Sequence, residues 1–479
     1  MIDRQEILEF AGEVGLDPNV VEKDYVLGWM LAGIAQHPQT RDTWVFKGGT
    51  CLKKCYFETY RFSEDLDFTL LDASHVNEAA LRSLFVEIAE WIYSESGIEF
   101  PEEARLFEVY VNPRGKNSGH SRIGYRGPMR RPGDPPRVRF DLTDDERLVR
   151  GAELRHVHHP YSDEPEGGIE ILSYCFEEVF AEKLRALSER ERPRDLYDVI
   201  HLHRHDADVN REVVLEILKS KCQFKGIAVP TLASLRASPQ HAALRADWDQ
   251  MLAHQLPELP PFDSFWNELP AVFDWLREAP VKVRPPAMGP GRHEIDPGWR
   301  APAMASSWRA QGITAPLEII RFAAANHLCV ELDYQDEGGR RGTRTIEPYS
   351  LRRTNAGDLL LYAVRSQDGQ DRSYRVDRIV GARATKQPFT PRYAVELSVV
   401  EPLNAPRISR AAADPSRRAT TRPVARRSSG FGQMKYIFQC PYCDKKFERT
   451  KHDSALNPHK TKNGYPCPGR VGHYVETKY

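Results

Sequence analysis

The sequence predicts an α+β protein, and three stretches carry that prediction. In "EEVFAEKLRAL", 177 to 187, apolar residues fall at 179, 180, 184 and 187, the spacing of one helix face. "RVRFDLT", 137 to 143, alternates as a strand does, with Val138 and Phe140 on one side. "DTWVFKGGT", 42 to 50, reads as a short strand running into a glycine turn. At 479 residues, with 41% apolar and 28% charged residues, the chain is expected to fold as two to four globular domains.

Composition shifts divide it. Residues 279–312, which include "APVKVRPPAMGPGRHEIDPGWRAPAM", are rich in Pro and Gly and read as a linker. A second break, 404–433, carries seven arginines and one acid with almost nothing to bury, and is expected to be disordered when free. Modules are therefore expected at 1–278, 313–403 and 434–479. From Asn404 onward, 16 Lys/Arg stand against 5 Asp/Glu, although the whole chain has a net charge of −1. A basic tail on an acidic body points to a polyanionic partner, or else to a solubilising tail. The apolar run "VLGWMLAGIA" is too short to span a bilayer and follows "EKDY" rather than a basic segment, so neither signal peptide nor membrane anchor is expected. Eight scattered cysteines make no disulfide framework and fit a cytoplasmic address.

The first module holds the strongest chemical signal. In "SEDLDF", Asp65 and Asp67 lie two apart, so on a strand both carboxylates project from one face. Like charges so placed call for a cation between them, and Mg²⁺ prefers such oxygen ligands. The upstream "FKGGT" turn has glycines whose backbone N–H groups can approach phosphate closely. Asp141, between Phe140 and Leu142, supplies a third carboxylate, enough for two metals to activate an attacking oxygen and stabilise a leaving pyrophosphate. Ser63 and Glu64 fall off the metal-facing side and are expected in supporting roles, and "EKDY" to brace the site. Histidines 156, 158 and 159 sit among charged and turn residues, an expected exposed loop rather than a metal site.

A Gly-Gly turn, an acid-hydrophobic-acid-hydrophobic strand and a later hydrophobic-acid-hydrophobic strand resemble the polymerase-beta-like nucleotidyltransferases. "EKDYVLGWML", "FKGGTCLKKCY", "RFSEDLDF", "HPYSD" and "EEVFAEKLRALSERERPRDLYD" follow in the order seen in the AbiEii/AbiGii toxin family, over roughly residues 1 to 275. The resemblance implies that family's fold and nucleotide transfer from an NTP, with RNA as acceptor and tRNA first among candidates. It also implies an antitoxin partner. By motif, Lys47, Gly48, Gly49 and Thr50, with Ser63 beside them, would hold the nucleotide. Asp65, Asp67 and Asp141 would bind Mg²⁺, Lys183 would neutralise the triphosphate, and Asp195 of "RDLYD" would complete the catalytic set. Each alone has a plainer structural reading; Asp195 could instead cap its helix and pair with Arg192 or Arg194.

The middle module reads as one helix and then short strands, with turns at "DEGGRRG", "NAGD" and "QDGQ", a small β-rich barrel capped by a helix. It resembles the WYL domain through "RTIEP" and "YRVDRI", with "LYA" where the namesake triplet would stand. That resemblance implies a ligand sensor for a nucleotide or nucleic acid, with Arg344, Tyr362, Arg375 and Arg378 as candidate contacts. Pairing of these arginines with Glu347 or Asp377 is the structural alternative.

In the last module, Cys440 and Cys443 have the spacing of a knuckle around Zn²⁺, and some 45 residues cannot fold on their core alone. His459 and Cys467 are the expected remaining ligands, with His452 and His473 as substitutes; a redox Cys-x-x-Cys is the lesser reading. Lys445, Lys446, Arg449, Lys451, Lys460, Lys462 and Arg470 interleave with Tyr442, Phe447 and Tyr465, a nucleic-acid-binding composition. The expectation for the whole is a Mg²⁺-dependent nucleotidyltransferase toxin of phage defence, gated by its WYL-like and zinc modules. A nucleic-acid-binding regulator with an inactive transferase module, or a transferase acting on a protein or small molecule, are the alternatives.

Overall fold

The computed structural model describes residues 1–398 apart from 59, 113, 206–208, 278–284, 290, 292 and 297–315, and, beyond 434, residues 435–440, 445–449, 456, 467 and 473–478. Two compact units result, Met1–Arg407 and Ile408–Tyr479. The linker read at 404–433 lies wholly outside the described residues, and that at 279–312 largely so.

The larger unit opens with helix α1 (Arg4–Val14), capped by the Asp3 side chain and by Gly15 at φ 69°. Helix α2 (Pro18–Gln36) contains the apolar run that a membrane reading would single out. Its residues 24 to 34 are buried on all sides, so the run is a core helix. No described helix is long and apolar enough to cross a membrane. Strand β1 (Trp44–Lys47) feeds the glycine turn, which opens a one-turn helix, α3 (Gly48–Cys51), continued by a π-turn over Leu52–Tyr56.

Strand β2 (Asp65–Leu70) returns antiparallel to β1, and helix α4 (Glu78–Ser96), capped by Asn77, crosses behind. Strands β3 (Arg105–Val111), β4 (Asn117–Gly124), β5 (Arg137–Thr143), β6 (Glu153–His156) and β7 (Glu170–Ser173) complete a seven-stranded mixed sheet, ordered β3-β4-β5-β2-β1-β7-β6. The central contact for function is the parallel pairing of β2 with β5. Phe85 of α4 packs edge-on against Phe140 and tilted against Phe107, burying one sheet face and leaving the alternate residues of β3, β4 and β5 outward.

A helical half follows: α5 (Phe176–Arg190), α6 (Pro193–Arg204), α7 (Arg211–Lys225), then the shorter α8 (Leu232–Ala237), α9 (His241–Ala246), α10 (Trp248–Leu252), α11 (Phe262–Trp266) and α12 (Leu269–Arg277). The stretch read as a helix from its 3.6 spacing is the heart of α5, with Val179, Phe180, Leu184 and Leu187 buried.

Helix α13 (Leu317–Ala325) and strands β8 (Leu328–Gln335), β9 (Arg341–Arg353), β10 (Leu359–Arg365), β11 (Gln370–Arg375) and β12 (Ile379–Pro388) form a five-stranded antiparallel sheet with its capping helix. The turns between its first four strands fall in the Gly-containing segments read from sequence. Part of the Pro/Gly-rich stretch is laid against this sheet rather than hanging free. Met288 is buried with Tyr349 and Tyr362, and Asp296 pairs with Arg353 at 2.6 Å.

Helix α13 is also anchored to the transferase half. Arg321, 2% exposed, meets the equally buried Glu58 at 3.0 Å, and the Tyr197 hydroxyl donates to Asn326 at 2.9 Å. In the smaller unit, strands β13 (Lys435–Gln439), β14 (Lys446–Arg449) and β15 (His473–Lys478) form an antiparallel sheet ordered β14-β13-β15.

Candidate active site

The acid pair sits where strand alternation puts it. Asp65 and Asp67 share the open face of β2, while Leu66 and Phe68 are fully buried on the other. The parallel register sets Asp67 opposite Asp141 and Asp65 opposite Arg139. Three carboxylates from two neighbouring strands therefore lie on one face near the middle of the sheet. On the other side of β2, Lys47 is the register partner of Asp67, and the glycine turn begins at the next residue.

Gly48 is required here twice over. Its φ is 82°, a left-handed conformation, and a Cβ would lie 2.1 Å from Asp67 Oδ2. At Gly49 a Cβ would lie 2.7 Å from Arg61 and 3.1 Å from the Ser63 hydroxyl. The Thr50 hydroxyl donates to the Asp65 carbonyl, tying turn to strand.

Electrostatics mark the same spot. Burial, and then the facing Asp141, push the Asp67 carboxyl up to about 6, against the pull of Lys47 and Lys183. Burial likewise raises Asp65, offset by Lys23, Arg139 and Arg194. Burial alone would favour a neutral Lys47 amine, but Glu182 at 3.6 Å holds it as the ammonium. These cations stand near the acids without pairing to them; among the described residues neither Asp65 nor Asp67 has a salt bridge. Asp141 is half exposed and is bonded by His120 Nδ1 from the neighbouring strand.

Lys183 lies at the site, but its amine is 2.7 Å from Asp198 and 4.0 Å from Asp195. Asp198 is also gripped by Arg61 through two bonds of 2.8 and 2.9 Å. Against burial, Arg61 and then Lys183 keep Asp198 well below the ordinary carboxyl range. Asp195 is 1% exposed and takes two bonds from Arg190, at 2.8 and 2.9 Å, so its partner is neither Arg192 nor Arg194.

The sequence reading missed Asp198, Arg61, Glu182 and His120. Asp198 had a signal, since it stands three residues after Asp195 and so on the same face of α6. Glu182 precedes Lys183 directly, and only the turn of α5 aims it at Lys47. The pairings of Arg61 and His120 depend on sheet register and chain return, which no local pattern carries.

"EKDY" does brace the site. Lys23 bonds Glu64 at 2.8 Å, Asp24 pairs with buried Lys54 at 2.6 Å, and Glu22 accepts from the Met129 N–H at 2.7 Å. The exposed loop expected at the histidines is corrected. His158 and His159 are 5% and 2% exposed, and burial holds both rings neutral. Their "HPYSD" segment tucks against α2, where His159 stacks on Tyr25 at 5.6 Å, so the polar flank was a poor guide.

In the second sheet the predicted contacts are dispersed and engaged. Tyr362 is 2% exposed. Arg375 makes two bonds of 2.8 Å to Asp358 and two, of 2.9 and 3.0 Å, to Asp377. Arg378 reaches Glu337 at 3.1 Å, and Arg344 lies over the Tyr334 ring at 5.5 Å. Of the expected zinc ligands, Cys443 and His459 lie outside the described residues, as does His452. Cys440 and Cys467 are buried with their sulfurs 3.7 Å apart. Among the described residues no cluster of three or more His, Cys, Asp or Glu has the arrangement of a metal site.

The acids of β2 and β5, set beside the glycine turn, agree with the resemblance to nucleotidyltransferases drawn from the sequence. Residues 29–277, more than half the chain, match the model of the nucleotidyl transferase AbiEii toxin of type IV toxin–antitoxin systems, and residues 316–384 match the WYL domain. The chain belongs to the AbiEii nucleotidyltransferase toxin family and carries a WYL domain.

Among solved structures it is similar to MenT4, a nucleotidyltransferase toxin of Mycobacterium tuberculosis H37Rv, at 19% identity and a TM-score of 0.42. That match covers 58% of this chain and 90% of MenT4. It is also similar to JHP933 of Helicobacter pylori, at 16% identity and a TM-score of 0.35, covering 55% of this chain and 94% of JHP933. No curated protein matches the chain.

Proposed function

We propose that this chain is a cytoplasmic, Mg²⁺-dependent toxin of phage defence that transfers a nucleotide from an NTP to RNA, tRNA first among acceptors. An antitoxin would hold it in check. The observation that carries the reading is the β2–β5 register, which brings Asp141 beside Asp67 while Gly48 presses against the same carboxylate. The donor chemistry suits a hard divalent ion, oxygen ligands only, with one carboxyl raised to about 6 by burial and by the facing Asp141, although the three carboxylates are not drawn together as a formed metal site.

Asp65, Asp67 and Asp141 would hold Mg²⁺. When bound, the metal supplies charge neutralisation for the triphosphate and activates the attacking oxygen. The backbone N–H groups of Gly48 and Gly49, with Lys47, Thr50 and Ser63, would seat the phosphates. Lys183 would exchange its bond to Asp198 for a phosphate oxygen, while Arg61 keeps Asp198 neutralised. Asp195, locked by Arg190, would fix the start of α6 rather than touch the nucleotide.

The modules would act as gates, in the division 1–278, 313–403 and 434–479 joined by linkers at 279–312 and 404–433. The buried Arg321–Glu58 pair supports coupling, because Glu58 begins the segment that runs into the metal strand. Arg344, Tyr362, Arg375 and Arg378 would meet a ligand only after leaving their present partners.

Zn²⁺ would be held by Cys440, Cys443, His459 and Cys467. Two sulfurs bound to one tetrahedral zinc stand about 3.8 Å apart, which the Cys440–Cys467 separation of 3.7 Å supports. Metal analysis of the purified protein should find about one zinc per chain, lost on Cys440→Ser; a zinc-free, folded protein would end that reading.

The main test is incubation of wild type and an Asp65→Ala/Asp67→Ala double variant with total bacterial RNA, Mg²⁺ and each α-labelled NTP. Label in a tRNA-sized band with wild type alone is expected. Label in protein or in a small molecule instead would replace RNA as the acceptor.

A further inference from the structure

The sheet face that carries the acids does not stop at Asp141. Across β5, β4 and β3 two rows of outward residues run away from the site. Asp67, Asp141, His120 and Glu108 stand opposite one another in turn, and Asp65, Arg139, Arg122 and Leu106 form the parallel row. All six residues beyond β2 are exposed, and the opposite face of these strands is buried under α4. On the glycine side Asp67 is hemmed in by the turn, so the open approach to the acids is along these rows.

The chemistry of that face is specific. Tyr110 and His120 are stacked, with ring centroids 5.0 Å apart and planes 23° apart, and the Tyr110 ring is 43% exposed. Beside them lie Arg122, Arg139 and, one step further along β5, Arg137. Arg122 is 3.4 Å from Glu108; among the described residues neither Arg137 nor Arg139 has a carboxylate in salt-bridge range. Guanidinium groups lacking carboxylate partners, spaced along a strand next to an exposed aromatic stack, suit phosphates and bases together. A flat sheet presenting aromatic rings is also a way in which single-stranded RNA is gripped through splayed bases.

We infer that the outward face of β3, β4 and β5 receives the single-stranded 3′ end of the acceptor RNA, with a base on the Tyr110–His120 stack and phosphates on Arg122, Arg137 and Arg139. The terminal hydroxyl then enters past Asp141, the most exposed of the three acids. The inference rests on the reading of RNA as acceptor and gives that acceptor its place on the molecule.

The test separates the two claims. Full-length protein is ultraviolet cross-linked to a short single-stranded RNA ending in 4-thiouridine, and the adducts are mapped by mass spectrometry. Adducts on peptides spanning 105–124, lost in Tyr110→Ala, are expected; adducts confined to residues beyond 404, or none, would overturn the platform. Kinetics provide the second arm. Arg122→Ala/Arg137→Ala and Tyr110→Ala should each raise the acceptor KM by about tenfold, with the NTP KM unchanged. The slope of log affinity against log salt should become shallower by about 0.7 for each guanidinium removed. RNA labelling with an unaltered acceptor KM would refute the platform while leaving RNA as the acceptor. Cross-links at Tyr110 without any RNA labelling would do the reverse.

Discussion

The two sheets of the larger unit treat charge in opposite ways. In the middle of the mixed sheet, Asp65 and Asp67 lie beside Asp141, with no salt bridge to either of the pair among the described residues, and the Asp67 carboxyl is pushed up to about 6. In the five-stranded sheet several arginines have counterparts: Arg375 with Asp358 and Asp377, Arg378 with Glu337, Arg392 with Glu347 at 3.1 Å. A fold left to minimise its own energy pairs its charges, so carboxylates kept together without neutralisation point to a bound cation. The difference teaches where the proposed chemistry would find unspent charge and where a switch would have to break bonds before it could act.

The largest expected effect removes the unbalanced charge. Asp65→Ala or Asp67→Ala should lower nucleotide transfer by at least about 10³-fold, since the metal's contribution to charge stabilisation goes with its ligands. Mg²⁺ should raise the melting temperature of wild type and not of the double variant. A variant retaining a tenth of wild-type transfer would remove the acids from the mechanism and level the comparison.

Gly48→Ala comes next. The added methyl group would meet Asp67 Oδ2 at 2.1 Å in a backbone held at φ 82°. Displacing a positioned group by an ångström costs about 10² in rate, and the left-handed conformation adds roughly 1 kcal/mol of strain. A rate measured with normal far-ultraviolet circular dichroism would check it; wild-type transfer would mean that the turn does not set the acid.

Much of this site was legible because its parts are local. The glycine turn, the acid pair and the outward Asp141 follow from turn chemistry and strand alternation, each within a few residues. Lys183 was legible as a residue but not in its bond, since Asp198 reaches it from the next helix. Arg61 and His120 were not legible at all. His120 finds Asp141 across an antiparallel pairing 21 residues deep, and Arg61 finds Asp198 over 137. The second sheet was read correctly in its helix, strands and turns for the same local reason. Pairing of its arginines was the alternative read from sequence, and Asp377 does hold Arg375, but Asp358, from the turn before β10, was not legible as a second partner. The histidines of "HPYSD" show the opposite failure: polar neighbours suggested exposure, yet packing against α2 buried two of the rings.

A subtler effect should appear in stability. The folded value of about 6 for Asp67 lies above the ordinary 3.8, so the native state keeps a proton that the unfolded chain releases between them. Stability contributed by the protonated carboxyl is therefore lost as pH rises through that window. Asp67→Asn, which stays neutral, should be more stable than wild type by about 2–3 kcal/mol at pH 8 without metal. At pH 4.5 most of that gap should disappear. Urea unfolding at both pH values checks the sign, and an equal gap at each would mean that ionising this buried carboxyl beside Asp141 is not what strains the site.

The smallest effect probes the balanced sheet. Arg375 is about a third exposed, at 32%, and its pairs with Asp358 and Asp377 are partly screened by water. Arg375→Ala should then cost only about 0.5–1 kcal/mol of stability, and the Asp358→Asn variant a similar amount. What distinguishes a strut from a sensor is the comparison of the two. If the guanidinium serves only the sheet, both variants lose stability alike and transfer activity follows neither. If Arg375 is a ligand contact held in reserve by Asp358 and Asp377, Asp358→Asn loosens it and the added Asp377→Asn frees it, raising affinity for a nucleotide or RNA trigger, whereas Arg375→Ala abolishes that affinity. Titration of each variant with single-stranded RNA, read by fluorescence anisotropy in a chain ending before residue 434, would separate these outcomes. Only the second would give the paired charges of this sheet a function of the kind proposed for the acids of the first.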